Sequence, residues 1–202
     1  MANAIGPRGF VPSRYMDGSN WNGATNLYVV LSTEGNQINV GDTVKSAAGG
    51  DANGIPAVTK ITNGTDACRG VVVGCLAANP NDPSLVGTQI DLTVQNIPAT
   101  KSKNYYVLVA DDPNLLFELQ DDGLAALTST SCNKNATYTV ANPTAPAQNS
   151  ASVLSTASVD TTNTLSLKIV GLVQKPNNAY GANANWLVRF NLHELFGSTA
   201  GV

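Results

Sequence analysis

The densest apolar run of the chain spans residues 105–120, which read YYVLVADDPNLLFELQ. Residues 105–110 are mostly aromatic or β-branched and are too few for a buried helix, so they predict a strand. A turn follows, because Asp112 can bond its own backbone and Pro113 presets φ at the next position. Residues 115–120 then alternate between apolar and more polar positions, as a half-buried strand does. The run therefore predicts a β-hairpin with one buried side.

Similar short runs, separated by Gly, Asn and Pro turns, recur along the chain. They predict further strands over residues 27–32, 40–45, 55–61, 68–76, 88–94, 165–173 and 186–192. Gly171 lies inside one of these runs and indicates a bulge there. Short strands without a sustained helical period predict an all-β fold, a jelly-roll-like sandwich or barrel.

Residues 1–26 contain two prolines, four glycines and little periodicity, so they cannot form a packed unit by themselves. They also carry Phe10, Tyr15 and Trp21, whereas a disordered tail is poor in aromatic residues. We therefore predict an extended N-terminal arm that docks in a groove of its own or a neighbouring subunit. A mobile terminus is the alternative.

The remainder predicts a single β domain over residues 27–196 and a polar tail over residues 197–202. Within the domain, residues 129–164 consist largely of Ser, Thr, Asn, Ala and Pro with almost no charge. Only residues 138–140 and 152–154 resemble strands there. Structureless connections above about 15 residues are uncommon and are usually functional or disordered, so this segment is predicted to be a variable, partly ordered surface excursion.

Charged residues are few, and their number and distribution indicate which kinds of molecule the protein can bind. Charged residues make up 12% of the chain, about half of the usual quarter, so the surface is expected to consist mainly of uncharged polar groups suited to contact with other protein. The net charge is -3, and the eleven Lys and Arg are scattered along the sequence. A nucleic-acid binder needs basic residues clustered on one surface, so no nucleic-acid partner is expected.

The apolar runs and the cysteines indicate in which cellular compartment the protein is kept. No stretch approaches the roughly 18 consecutive apolar residues of a membrane span, and the first residues lack the apolar core of a signal peptide. No membrane association is expected, and the protein should be made and kept in a cytoplasm.

Cys68 and Cys75 point to opposite faces of a predicted strand, which disfavours a disulfide between them. We expect Cys68, Cys75 and Cys132 to be reduced, mostly buried thiols without a metal or redox role.

Residue types that perform catalysis are rare in the chain. His193 is the only histidine, and it lies at the end of the last predicted strand beside Glu194. Nucleophilic catalysis needs such a base held by an orienting group, and none of the patterns GxSxG, CxxC or HExxH occurs. A lone histidine near a chain end is more often a packed or solvated residue. No enzymatic activity, no catalytic residue and no cofactor are therefore expected.

Five carboxylates near the central run are candidates for a calcium site or a glycosidase pair: Asp111, Asp112, Glu118, Asp121 and Asp122. The turn accounts for Asp112, and strand termination accounts for Asp121 and Asp122. A glycosidase needs two carboxylates fixed about 5 to 9 Å apart across a cleft, and nothing in the sequence fixes such a pair. No metal site is expected. A calcium site stays open as the alternative, because such sites in loops leave weak sequence traces.

Several segments carry a resemblance to a known family. They are MANAIGPRGFVPSRYMDGSNWNGATNLYVV at the start, GDTVK, GIPAVTKI and GVVVGCL in the first half, YYVLVADDPNLLFELQDDG in the middle and LKIVGLVQKPNNAYGANANWLVRFNLHEL near the end. Together they resemble the small head proteins that many tailed bacteriophages make beside the major coat protein. The resemblance is weakest over residues 129–164. It implies a decoration, or cement, protein: a β-rich structural subunit on the outside of the capsid, commonly a homotrimer at local threefold positions.

The resemblance implies that the partners are the major capsid protein and further copies of the chain. It also implies a place on the capsid exterior of the virion, after synthesis in the host bacterial cytoplasm. Residue type and position suggest which side chains make the contact. We expect aromatic anchors and two arginines that reach carboxylates, all from the arm: Phe10, Tyr15 and Trp21, with Arg8 and Arg14.

A virion surface adhesion module is the alternative function, in which residues 129–164 bind a host glycan. Such a site is expected to offer aromatic platforms to the sugar. Tyr138 is the only aromatic residue of that segment, so the sequence disfavours this alternative.

Overall fold

The computed structural model describes residues 3–80, 94–144 and 147–196, and fourteen β-strands lie within them. The prediction of an all-β fold is therefore confirmed. The sandwich-or-barrel prediction takes the form of a small closed barrel beside a five-stranded sheet. The predicted strand at residues 88–94, apart from its last residue, and the predicted tail at residues 197–202 lie outside the described residues.

Five strands close into the barrel, so that each is hydrogen-bonded to two neighbours. Numbered along the chain and given in order around the barrel, they are β2 (Asn26–Val30), β5 (Pro56–Lys60), β4 (Thr43–Gly50), β6 (Gly70–Leu76) and β8 (Tyr105–Ala110). β2 and β5 run parallel, and the other neighbours are antiparallel. Valines dominate the interior, since β-branched side chains favour strands and fit a narrow lumen; they include Val30, Val44, Val58, Val72, Val107 and Val109.

The five-stranded sheet is antiparallel throughout. Its strands are, in order, β1 (Val11–Tyr15), β9 (Leu115–Gln120), β14 (Asn185–Phe190), β13 (Leu167–Leu172) and β10 (Asn135–Ala136). The predicted bulge is confirmed, because the register of β13 shifts between Ile169 and Gly171. The inner face packs on residues of the barrel, and both contribute to one buried cluster that includes Ile61, Cys68, Val71, Ala110, Leu115, Phe117, Leu119, Trp186 and Val188.

The central hairpin prediction is wrong in its pairing, although both strands have the predicted bounds. β8 pairs with β2 and β6 inside the barrel, whereas β9 pairs with β1 and β14 in the sheet. The turn does form: the Asn114 amide donates to Asp112 Oδ1 at 2.8 Å, and the Leu115 amide donates to the Asp112 carbonyl at 3.1 Å. Because both edges of β8 are occupied within the barrel, no edge is left for β9. The turn therefore carries the chain from the barrel into the sheet.

Part of the predicted arm is integral to the domain. Residues 11–15 form β1, the edge strand of the sheet, with Val11 opposite Glu118 and Tyr15 opposite Leu115. Phe10 is only 1% exposed. Residues 10–15 thus dock on the rest of the same chain, one of the two possibilities expected for the arm, because burial of Phe10 and pairing with β9 satisfy side chain and backbone there.

Within residues 129–164, the two predicted strand-like pieces do form strands, and part of the segment packs on the core. β10 adds to the sheet next to β13, and β11 (Tyr138–Thr139) pairs with β12 (Val153–Leu154). Tyr138 is 4% exposed and Leu154 is fully buried. The sequence did not predict this packing, because the segment has few apolar residues and only a few are needed to cover the end of the core.

A further two-stranded ribbon joins β3 (Ile38–Asn39) and β7 (Asn96–Ile97).

Phe10 lies among aromatic rings from three distant parts of the chain. Its ring centroid is 4.9 Å from that of Tyr138, 5.1 Å from that of Phe190 and 6.2 Å from that of Phe117. Two of the three contacts are edge-to-face, the arrangement that the aromatic quadrupole favours. Phe10 thus joins the N-terminal segment to the sheet and to β11.

Gly9 makes this insertion possible. Its φ is +67°, which a side chain disfavours. A Cβ at this position would also collide with the Gly41 carbonyl oxygen and with the side chain of Ser150. The Phe10 amide donates to the same Gly41 carbonyl at 3.0 Å, so the segment is fastened to the barrel here.

Replacing Gly9 with Ala should lower the free energy of unfolding by roughly 3 kcal/mol, because a strained φ and a collision with backbone act together. Gly18→Ala is the matched control: its φ is +90°, but an added Cβ would meet nothing within 4 Å. The control should lose only about 1 kcal/mol. Urea denaturation followed by tryptophan fluorescence measures both, and equal losses would contradict the crowded insertion.

Candidate interaction surface

One face of the five-stranded sheet packs on the core, and the opposite face is called the outer face. Side chains alternate along a strand, so the residues between the core positions share this face. They are Val11 and Arg14 of β1, Leu116, Glu118 and Gln120 of β9, Asn185, Leu187 and Arg189 of β14, and Lys168 and Val170 of β13. Val11 is 40% exposed and Val170 is 36% exposed, so the face is open to solvent towards both sides of the sheet.

A small apolar cluster forms the centre of the outer face. Leu116 and Leu187 pack with Val173, which follows β13, and all three are buried. Glu118 lies beside them and forms an ion pair with Lys175 at 3.0 Å. A shallow groove of about 190 Å³ runs between these residues and Arg14 of the edge strand. These three apolar side chains are thus covered within the chain, and the charged side chains around them meet the solvent.

The N-terminal residues border the outer face at one end. The Gln120 side chain donates to the Ala4 carbonyl at 2.9 Å and accepts from the Gly6 amide at 2.9 Å. Asn3 donates to the carbonyls of Ala179 and Ala182 at 2.9 Å each. A groove of about 370 Å³ lies between this segment and the sheet, and Arg8, Glu118 and Lys175 contribute to its walls.

Cations converge on this surface although they are scattered in the sequence. Five of the eleven Lys and Arg lie on the outer face or line its grooves: Arg8, Arg14, Lys168, Lys175 and Arg189. The described outer face carries the carboxylates of Glu118 and, beyond Asn135 at the β10 edge, of Asp160. The surface is therefore basic on a chain whose net charge is -3.

The five residues expected to contact a partner divide into two groups. Phe10 fills the core of its own chain, and Tyr15 and Trp21 are half-buried against the same core. These aromatic side chains therefore serve the fold first, and Phe10 has no surface left to offer. Arg8 and Arg14 are exposed and reach the surface described above.

Arg189, Met16 and Phe196 also belong to this surface and were not predicted from the sequence. Arg189 donates to the Met16 sulfur at 3.3 Å, and its guanidinium lies 5.8 Å from the centroid of the Phe196 ring. Met16 and Phe196 are 52% and 60% exposed. Only Arg189 carried a signal, because it alternates with the core residues of its strand.

A buried polar network lies at one end of the barrel. The Tyr28 hydroxyl donates to Asp111 at 2.6 Å, the Asn26 amide donates to the same carboxylate at 2.9 Å, and Arg69 donates to the Tyr28 oxygen at 2.9 Å. Burial, and then the hydrogen bond to Asp111, raise the pKa of Tyr28 to about 12. These groups satisfy one another, so the network holds β2, β6 and β8 together.

His193 is packed near this network. It is 3% exposed, its Nδ1 accepts the Leu195 amide at 3.1 Å, and its ring lies 6.3 Å from that of Phe190. Burial lowers the pKa of the imidazole. The side chain thus acts as a neutral acceptor that fixes the chain after β14.

The candidate carboxylates have partners in the protein. Asp121 accepts the Trp186 indole N–H at 3.0 Å and the Gly123 amide at 3.0 Å, and burial raises its pKa. Asp122 accepts the Thr156 hydroxyl at 2.6 Å. Within the described residues, no group of three or more His, Cys, Asp or Glu side chains could hold a metal ion.

The thiols are free, as predicted. Cys68 lies in the cluster between sheet and barrel and Cys75 inside the barrel, so the two do not meet. Burial raises the pKa of Cys75 to about 12.

A buried ion pair ties residue 142 to the barrel. Lys60 donates to Asp42 at 2.6 Å, to Asn142 Oδ1 at 2.6 Å and to the Gln37 carbonyl at 3.0 Å. Three oxygens thus satisfy the three donors of the ammonium group.

No family model, curated protein or solved structure matches this chain. Among the described residues, no helix has the length and apolar character needed to cross a membrane.

Lowering the pH should destabilise the protein through His193. The unfolded imidazole takes up a proton near pH 6.5, whereas the folded one resists it until lower pH. Its contribution to stability is therefore present above about pH 6.5 and is lost as the pH falls through the folded pKa. Every tenfold reduction in the proton affinity of the folded imidazole corresponds to about 1.4 kcal/mol of that contribution.

The control is His193→Asn, whose side-chain oxygen can accept the Leu195 amide but does not titrate. Urea denaturation between about pH 7.5 and pH 5.5 should give a steeper loss of unfolding free energy for the natural protein than for the variant, because this is the only histidine. Parallel pH profiles would show that His193 is not held neutral by the fold.

Proposed function

We propose that the protein is a structural virion protein, a decoration or cement subunit that binds the outside of a tailed-phage capsid and stabilises the coat-protein lattice. The observation that carries the proposal is the outer face of the five-stranded sheet, which carries five cations and exposes the apolar side chains of Val11 and Val170 at its sides. The family resemblance of the sequence supports the same role. On this proposal the protein performs no reaction.

The size of the outer face favours a repeated contact. Four long strands spaced about 4.8 Å apart and about 20 Å long present roughly 400 Å². A stable interface buries about 800 Å² on each partner, so one such face would bind weakly. A homotrimer repeats the contact by closed symmetry, and its three copies reinforce one another on a lattice.

Binding of this kind stabilises a shell by mass action. A subunit that binds coat proteins only in their assembled arrangement shifts the equilibrium towards that arrangement. With charged residues at 12% of the chain, few long ionic side chains lose conformational freedom when a surface is covered. The Phe10 insertion and the strand pairing of β1 hold the edge of the face in place before the partner arrives.

The structure disfavours the alternative function, a glycan-binding adhesion module, because its aromatic residue is buried. Tyr138, the aromatic that residues 129–164 would offer to a glycan, lies in the core in contact with Phe10. Its hydroxyl is bonded to Thr43 Oγ1 at 2.8 Å. A sugar cannot stack on this ring without unfolding the region.

Cryo-electron microscopy of purified virions tests the proposal. We expect density for the chain on the exterior of the capsid at threefold positions, with the outer face of the sheet turned towards the coat protein. Shells stripped of the protein should rebind it saturably and break at a higher temperature afterwards. Absence from mature particles, or glycan-array binding without shell binding, would contradict the cement role.

A further inference from the structure

Three cations lie in one line across the outer face. Lys168 of β13 and Arg189 of β14 are directly opposed partners. Arg14 of β1 is opposite Leu116 of β9, and extending the register of β9 and β14 by one residue brings Leu116 next to Arg189. Arg14, Lys168 and Arg189 are called the basic row.

The three cations repel one another in the folded chain. Like charges directly opposite each other in a sheet are destabilising, and none of the three cations forms an ion pair with a carboxylate of the described residues. Lys175, on the same side of the sheet, does have such a partner in Glu118. A chain with so few charges thus places three cations in one row without a direct ion pair among the described residues, although Asp160 lies beyond Asn135 at the Lys168 end of that row.

Arg189 has a hydrogen-bond donor without an acceptor. Its Nε is enclosed without any hydrogen-bond acceptor among the described residues. Its Nη1 faces the Met16 sulfur, which is a weak acceptor, and its guanidinium lies against the Phe196 ring. A guanidinium oriented by apolar neighbours can receive a carboxylate through two parallel hydrogen bonds.

We propose that the basic row is the part of the outer face that recognises the partner, and that the partner presents carboxylates beside an apolar side chain. The carboxylates pair with Arg14, Lys168 and Arg189, and the apolar group packs on the exposed Met16 and Phe196. The inference rests on the proposed function only for the source of this acidic surface, which is then the exterior of the coat-protein lattice.

Nucleic acid fits the surface less well. Duplex binders neutralise several phosphates along a basic stripe, whereas this row has three cations flanked by apolar groups on a chain of net charge -3. A second copy of the chain would have to bring a carboxylate cluster to the row, and the charge complementarity favours an acidic protein instead.

A pair of double variants isolates the row. Lys168→Gln with Arg189→Gln removes the opposed cations. Lys45→Gln in β4 with Lys103→Gln in the loop before β8, called the barrel variant, removes the same charge elsewhere. The first pair should melt close to the temperature of the natural protein, because the relief of repulsion offsets the lost contacts of Arg189 with Met16 and Phe196. Any loss of binding is then not a loss of fold. Arg14→Gln extends the series.

The first readout is independent of any phage. A synthetic peptide rich in Glu with one Leu is titrated into the 15N-labelled protein. It should shift the signals of the row, with affinity at least tenfold weaker for the row variant, unchanged for the barrel variant and weakened as NaCl rises from about 0.05 to about 0.5 M. Equal affinity of both variants would overturn the proposal.

Stripped shells give the second readout and separate the two proposals. If the natural protein binds shells and the row variant binds tenfold more weakly, both stand; if the two bind equally, the row is not the recognition element although the cement role survives. If the peptide binds the row but shells bind neither protein, the cement role fails alone. Tighter binding of a DNA duplex than of the peptide, or self-association abolished by the row variant, would assign the row to another partner and overturn the inference.

Discussion

The fold depends on the insertion of one side chain, Phe10, between the sheet and β11. Full burial of a phenylalanine contributes about 2 to 3 kcal/mol through the hydrophobic effect, and its edge-to-face contacts add to that. The insertion also sets the position of β1. β1 begins at the next residue, so the edge of the five-stranded sheet exists in its present place because Phe10 is anchored.

The same anchor connects structure to the proposed function. The outer face needs a fixed edge, because an interface of only a few hundred square ångströms cannot also supply the free energy to order a loose strand. With β1 paired to β9, Arg14 stands in line with the cations of β13 and β14 before any partner binds. The core thus fixes the strands that carry the outer face, and the three cations of the basic row form no ion pair with a carboxylate of the described residues.

Local structure followed from the sequence, whereas its long-range pairing did not. β8 and β9 have the predicted bounds because β-branched residues and the Asp-Pro turn act locally, yet their partners are decided by strands far away in the chain. Phe10 was expected at an interface, since nothing local distinguishes a buried aromatic in an arm from an exposed one. Tyr138 was hidden in a polar segment for the same reason. The basic row could not be seen either, because Arg14 and Lys168 are brought together only by the strand order of the sheet.

Hydrogen exchange of the isolated protein tests the central claim most directly, since it reports whether the N-terminal segment belongs to the folded core. We expect the Phe10 amide, bonded to Gly41, and the amides of β1 that pair with β9 to exchange as slowly as those of β14, while residues 3–5 exchange quickly. Fast exchange at Phe10 and β1 in a protein whose β9 and β14 remain protected would contradict the claim.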